Sequence, residues 1–576
     1  MSLAAESVGR SGIAAASPSS LAHAALTILF CGVLALTSTH LQGFEFGIDN
    51  NVFHIPIVLH WYDLPEFSRD PIIQSLRRYA TPVFPFLGLF TDASNIAAVF
   101  QAAFLLTRAL TIFALLAVMR ACGLRGAWLA AAGVASVFVS ALYGESLIGR
   151  DELLVDIFTH TALAQAVALL AVATLMRNKL ILAAIATGLA FDLNAMVGIW
   201  MLAPLGLISV VHLGRPGAWR AVAWAGLAFA ATALPVALWI GLSQKFAAPA
   251  FDYRSYLQAY YPYHFFIGWA AWPARITFLL QLASGFFAAA LLPRHRANAA
   301  LILLALALLF GAGVVIGQTS HSRFLLNLHL LRADGMLTWV VVPLVLTASI
   351  AALAKNVFAA WVGAIVALAG LIAADWRVVL FGLLLQAAAG LIARQRPRRM
   401  TEGARLPLLL AAGAALLLVA ITQGRYSALP APPGLHDVPS DQQLAGVWPR
   451  APQWREVTRW AEAATPPDAL FIVPPKLDFI AARRRVWVDW KQGAAVMWAP
   501  DIYRVWHARS MELASLKTAP ALLAYACRHG IAYAVFDRRP GRALRGTEAL
   551  SRPVFVNRWF AVFRVPACRE AGRLSG

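Results

Sequence analysis

Apolar residues run in long blocks along this chain, with the polar residues gathered between them. The blocks fall at roughly 22–42, 94–120, 127–143, 157–176, 180–195, 197–212, 221–242, 276–292, 299–317, 336–354, 357–374, 377–394 and 405–423. A helix needs about 17–25 apolar residues to cross a bilayer, and most of these blocks reach that length. The pattern predicts a mainly α, polytopic transmembrane bundle of about thirteen spans. The first block has no small-x-small cleavage site after it ("LTSTHLQG") and reads as an anchor rather than a signal peptide.

Residues 180–212 strain this scheme, being long for one span and short for two, with basic residues beyond both ends. Asp192 and Asn194 in "FDLNAM" interrupt them and require water or protein partners. Two short helices meeting at that break, opening into a cavity, satisfy both constraints.

The connectors set the orientation. "RACGLRG", "LMRNK", "HLGRPGAWR", "LPRHRAN" and "ARQRPRRMTEGAR" are basic and alternate with basic-poor or mixed loops. Cytoplasmic retention of basic loops makes the amino terminus cytoplasmic and the tail extracytoplasmic. Five polar segments then share the outer face: 43–93, 143–156, the break at 191–196, 244–275 and 318–335. The first carries Glu45, Asp49, Asp63, Glu66 and Asp70 directly after the first span.

Beyond the last block the character changes. Residues 424–450 are rich in Pro, Gly and Ser and read as a linker. In 451–576, "PQWREVTRWAEAAT" and "TAPALLAYACRHG" have helical spacing, while "ALFIVPP", "RRVWVDW", "AYAVFDRR" and "RPVFVNRWFAVFRVP" read as strands. The expected division is a tail at 1–20, a transmembrane domain at 21–423 with the large outer loop 43–93, the linker, and a small extracytoplasmic α/β domain. That compartment permits a Cys527–Cys568 disulfide, though spacing alone leaves it open.

Composition agrees. The chain of 576 residues is 60% hydrophobic and 13% charged, where soluble domains carry about a quarter charged residues. The net charge of +20 is explained by cytoplasmic loops and by anionic headgroups, so the bilayer rather than nucleic acid is the expected partner. The four cysteines show no metal-ligand spacing.

The stretches "GIDNNVFHIP", "YYPYHFFIGW", "TPPDALFIVPP" and "RRVWVDWKQGAAV", with the large acidic first outer loop and the terminal α/β domain, resemble an uncharacterised bacterial family related to the GT-C membrane glycosyltransferases. That resemblance implies an inner-membrane enzyme taking a sugar from a polyprenyl-phosphate donor to a lipid, polysaccharide or protein acceptor. It places Asp49 at the first-loop acid, and Asp151 and Glu152 at the second acidic position. The metal-dependent members use Asp-x-Asp in the first loop. "DNN" offers one carboxylate and two amides, so no cofactor is expected and a divalent metal is disfavoured.

Such chemistry also wants cations for the leaving phosphate. Arg332 is the candidate, with His264 or Arg275 assisting; alternatively Arg332 pairs with Asp334 or snorkels to the interface. Arg108 falls inside a span, where a charge must face the protein interior, and Asp192 is a possible partner. The run Arg483–Arg485 with Asp489 and Lys491 reads first as a solvated edge, and otherwise as a surface docking on the membrane part, capping the cavity and reading acceptor identity. The helix-like "YRVWHARSMEL" has the same alternative, through Tyr503, Trp506 and Arg509. A transporter or flippase of lipid-linked precursors, or a non-catalytic assembly protein, are the competing functions.

Overall fold

The computed structural model describes residues 18–243, 249–355, 357–395, 402–422, 452–475, 477–550 and 552–566. The expected linker at 424–450 and Cys568 lie outside the described residues, as does most of the tail at 1–20. Among the described residues seven helices are long and apolar enough to cross a membrane, and six apolar helices of 10–17 residues accompany them. Each expected block coincides with one of these helices. The protein is a multi-pass helical membrane protein.

Helix Ala333–Ala354 is the hub, with nearly every residue buried, from Met336 to Ile350 without interruption. Helix Trp219–Ser243 sits at the opposite extreme, with only Ala225, Ala233 and Val236 buried. An all-apolar helix is stable in either setting, because lipid and protein interior are comparably apolar.

Two departures shape the site. The block at 127–143 ends its helix at Val137, and the chain turns into a loop in which Leu154 N–H donates to Leu142 O at 2.7 Å. Residues 180–212 form helices Leu180–Leu193 and Ala195–Leu213, separated at Asn194. Asn194 caps the second helix by accepting from Met196 N–H at 3.1 Å, which satisfies one of the donors a helix start leaves open.

The tail folds on a five-stranded sheet: β1 (Leu470–Ile472), β2 (Arg485–Val486), β3 (Tyr533–Asp537), β4 (Phe555–Val556) and β5 (Phe560–Arg564), in the order β2-β1-β3-β5-β4. β1 runs parallel to β2 and β3, and β5 antiparallel to β3 and β4. Strand alternation directs Phe471, Val535, Phe560 and Val562 to helix Pro452–Ala464, and Ile472, Ala534, Phe536 and Phe563 to helix Ala519–Arg528. The stretch expected as one strand at 552–566 is a hairpin. Asn557 turns it, its Oδ1 accepting from the N–H groups of Trp559 and Phe560.

Residues 487–506 leave the sheet and join the membrane part. Val496, Ala499 and Trp506 share one buried cluster with Phe53, Trp61 and Phe84 of the first loop and Tyr256 and Tyr261 of the 251–266 segment. Tyr503 stacks on Phe251 with ring centroids 3.8 Å apart, and Trp506 meets Tyr260 edge-on at 4.7 Å. Arg509 instead turns inward, over the Trp487 ring.

Candidate functional site

Beneath that docked segment lies a cavity of roughly 360 Å³. All five polar segments contribute to its lining or its support, so the clustering expected from the loop pattern is a spatial one. Part of its lining is apolar, supplied by Met196, Ile199, Ile240, Phe324 and Leu328. The charged lining residues come from the first loop, the 143–156 loop, the 318–335 segment and the tail.

Asp49 adopts a left-handed backbone conformation (φ 51°), which Asp tolerates better than most residues. Two of its contacts come from the tail. Its N–H donates to Asp478 Oδ2 at 2.6 Å, and its Oδ1 forms an ion pair with Lys491 Nζ. Burial lowers the ammonium's affinity for its proton, but the Asp49 and Glu152 carboxylates outweigh that and raise Lys491 above the ordinary lysine range. Lys491 is therefore a permanent cation here, not a solvated edge. Its neighbours agree: Asp489 is buried, and Arg484 is buried and donates to the carbonyls of Glu462 and Thr465.

Glu152 enters from the 143–156 loop. Asn50 Nδ2 donates to its Oε1, while its Oε2 is buried and has no hydrogen-bond partner among the described residues. Burial first, and then the charge of Asp49, push the Glu152 carboxyl up to about 7. A carboxyl poised there can either hold or release a proton at neutral pH.

Arg332 also lines the cavity and pairs with Asp151, Nη2 to Oδ1 at 2.7 Å. Asp151 is fully buried behind it and does not line the cavity. Gln165 Nε2 donates to Asp151 Oδ2 at 2.7 Å, and Trp339 Nε1 donates to Gln165 Oε1 at 3.1 Å. The guanidinium is thus anchored through three side chains to the central helix. Gly335 permits this, since a Cβ there would collide with the Asp151 carboxylate. The alternative pairing of Arg332 with Asp334 is overturned: Asp334 accepts from Ser146 Oγ and from the N–H groups of Ile148 and Gly149, pinning the loop.

His264 lines the cavity and donates from Nδ1 to Gly149 O at 2.8 Å, which leaves Nε2 as the acceptor. Burial, reinforced by Arg332, holds this imidazole well below its ordinary range, so it is neutral. Asn194 also lines the cavity and donates to Thr161 Oγ1 at 2.9 Å.

Three expected residues lie elsewhere. Arg275 closes its own turn, donating to the carbonyls of Ala270 and Gly268. Asp192 accepts from Val236 N–H at 3.3 Å and does not meet Arg108. Arg108 is satisfied by neutral oxygens, those of Ser38, Gln42 and Val155, with Phe104 beneath its guanidinium at 4.8 Å. A buried guanidinium needs acceptors for its N–H groups, and these neutral oxygens supply them.

Sequence reasoning gave no site role to Asn50, Arg150 or Glu145, which line the cavity together with Lys491. Arg150 approaches Glu145 at 3.7 Å and lies over the rings of Tyr263 and Trp269. Lys491 did carry a signal, as a lone lysine within the aromatic stretch "RRVWVDWKQGAAV". The amides of "DNN" are engaged by protein, Asn50 with Glu152 and Asn51 Oδ1 with Gly47 N–H. Among the described residues no group of three His, Cys, Asp or Glu side chains is placed to hold a metal ion.

Fold and cavity together define a multi-pass membrane protein whose soluble α/β domain closes a charged pocket. Residues 452–513, which include Lys491 and the docked segment, match a domain family of unknown function, DUF6798. No curated protein matches the chain. Among solved structures the chain is similar to the arabinofuranosyltransferase AftD from Mycobacteria, at 14% identity and a TM-score of 0.42, covering 94% of this chain and 40% of that one. It is similar to ArnT from Cupriavidus metallidurans at 12% identity and a TM-score of 0.40, over 95% and 99% of the two chains. The archaeal oligosaccharyltransferase AglB from Archaeoglobus fulgidus, solved with an inhibitory peptide and a dolichol-phosphate, is similar at 12% identity and a TM-score of 0.39, over 89% and 70%. The chain spans well under half the length of AftD.

Proposed function

We propose that this protein is a GT-C-type glycosyltransferase, moving a sugar from a polyprenyl-phosphate donor to an acceptor hydroxyl at the outer face of the bacterial inner membrane. The observation that carries the reading is the single cavity lined both by Asp49, Glu152, Lys491 and Arg332 and by apolar side chains. A donor with a prenyl chain and a charged sugar phosphate needs both surfaces at once. Sidedness is supported by the basic connectors, such as Arg120–Arg125 and Arg177–Lys179, which lie at the helix ends away from the cavity.

In the proposed reaction the acceptor oxygen attacks the anomeric carbon, and the bond from that carbon to the phosphate oxygen breaks. Asp49 takes the acceptor's proton. The departing polyprenyl phosphate keeps the bonding electron pair, and its charge faces Arg332 and Lys491, which act as preorganised cations. Asp151 is a positioning residue that holds Arg332. Glu152 sets the charge state of the pocket.

The test uses the purified full chain with a panel of radiolabelled polyprenyl-phosphate hexoses and pentoses. Release of free polyprenyl phosphate is expected, with Asp49→Asn slower by at least about 100-fold. Turnover unchanged in that variant would remove Asp49 from the reaction. Movement of intact donor across proteoliposomes without cleavage would replace the enzyme reading by transport.

A further inference from the structure

A second, larger hollow lies at the other end of the bundle. Helix His160–Met176 begins at the candidate site, and Arg177, just past its end, borders this hollow. Seventeen residues at 1.5 Å each put the two about 25 Å apart. The hollow is a groove of roughly 1240 Å³ between helix Pro18–Gln42 and helices Ile96–Ala121 and Gly126–Val137. Its walls are apolar, with Leu26, Leu29 and Val33 facing Phe113, Leu116 and Leu129. Leu26 and Leu29 are 66% and 64% exposed, so the groove opens to the surroundings of the bundle.

The rim is cationic. Arg120, Arg125, Arg177, Arg294 and His295 line it, and among the described residues no Asp or Glu does. These residues come from three separate connectors. Arg294 N–H donates to Cys122 O at 3.2 Å, tying two of the connectors together. Gly123 (φ 118°) makes the approach possible, since a Cβ there would meet Pro293 Cβ at 3.0 Å. Retention of loops in the cytoplasm requires basic residues but not their convergence on one groove. Arg220, on a fourth basic connector, lies outside it. Gathering like charges opposes folding unless an anion joins them.

We infer that this groove is a binding site for an anionic phospholipid of the inner leaflet, its acyl chains against the apolar walls and its phosphate at the arginine rim. The dimensions agree. From His23 to Val33 the wall runs ten residues, or about 15 Å, which is half of the roughly 30 Å hydrocarbon thickness. Acyl chains of one leaflet match that depth, and the rim falls at headgroup level, where each basic residue adds attraction for anionic lipid. The inference is independent of the transfer chemistry proposed for the opposite end.

The experiment is a lipid titration of the full chain, purified and delipidated in neutral detergent, with cardiolipin and with phosphatidylcholine, read by native mass spectrometry and thermal shift. Cardiolipin is expected to bind more tightly than phosphatidylcholine, with a preference that falls as salt is raised. The double variant Arg120→Gln/Arg294→Gln should lose roughly thirtyfold of that affinity, about fivefold per guanidinium, while Arg220→Gln keeps it. Equal binding of phosphatidylcholine, or equal loss in Arg220→Gln, would overturn the proposal. Competition by glycerol phosphate as strong as that of cardiolipin would make this a free-anion site and overturn the lipid reading. Should the double variant fail to fold, the wild-type salt dependence and headgroup comparison decide alone.

Discussion

Replacing Asp151 by Asn tests whether the cavity's principal arginine is fixed by a buried ion pair. The Asp151 side chain is 0% exposed and that of Arg332 12%, with 2.7 Å between them. Removing one partner of a buried pair costs about 3–5 kcal/mol, because the other charge is left uncompensated. Arg332 borders a cavity and can gain some hydration there, which favours the lower end, about 3 kcal/mol. Asparagine keeps an acceptor for Gln165, so that bond, about 1 kcal/mol, is retained. Arg332→Gln strands the carboxylate instead, and the double variant strands neither group. The coupling between the two substitutions is therefore expected near 2 kcal/mol, well above the 0.5 kcal/mol or so typical of independent sites. The assay is reversible unfolding in mixed detergent micelles, followed by circular dichroism, for the four members of the cycle. Additive effects would refute the pairing and with it the positioning role of Asp151.

Two further outcomes follow from the same geometry. Glu152 has its carboxyl pushed up to about 7, above its ordinary 4.5. Its native form therefore keeps a proton that the unfolded chain has released, so its contribution to stability falls as pH rises from about 4.5 to 7. If its deprotonated form supports turnover, the rate rises with pH around 7. Glu152→Gln should flatten that limb, and Lys491→Met, which removes a cation, should move it up by roughly one unit; a limb unmoved in both would show that another group titrates. Trp506 is fully buried against Tyr260 and donates from Nε1 to Asp489 O at 2.9 Å. Trp506→Ala should cost about 3–5 kcal/mol of docking and raise hydrogen exchange in 253–261 and 487–498 together, leaving β3 and β5 protected. Exchange confined to helix Tyr503–Ser515 would mean that the tail docks without that residue.

How much the chain discloses by itself depends on the range of each interaction. The apolar blocks, the break at Asn194 and the alternation in β1, β3 and β5 are local, and each leaves a period or an interruption in the sequence. The gathering of polar segments was legible because it follows from the parity of basic loops. Which charges meet was not. Asp49 and its tail partner Asp478 are 429 residues apart, and no local pattern announces such a contact. The nearby pairing of Arg332 with Asp334 lost because the loop carrying Asp151 folds over that turn, where Gly149 leaves room for the Arg332 backbone. The candidate pairing of Arg108 with Asp192 lost for another reason: three oxygens of its own surroundings already satisfy the guanidinium.

The charges of the pocket also bear on the order of events in the proposed transfer. Lys491 is paired with Asp49, Arg150 approaches Glu145, and Arg332 is held from behind by Asp151. The resting site thus answers its own cations with its own acids. A donor phosphate entering it competes for Lys491 with Asp49, the acid proposed as the base. As the ammonium turns to the phosphate, it leaves the Asp49 carboxylate free to accept a hydrogen bond from the acceptor hydroxyl. Glu152, its carboxyl pushed up by burial, can take up a proton and so limit the repulsion that the added anion would otherwise meet. The base accordingly becomes effective when the donor is in place. Because Lys491 belongs to the docked tail, that coupling exists only while the soluble domain closes the cavity. A membrane part alone would keep the carboxylates and lose the cation that times them.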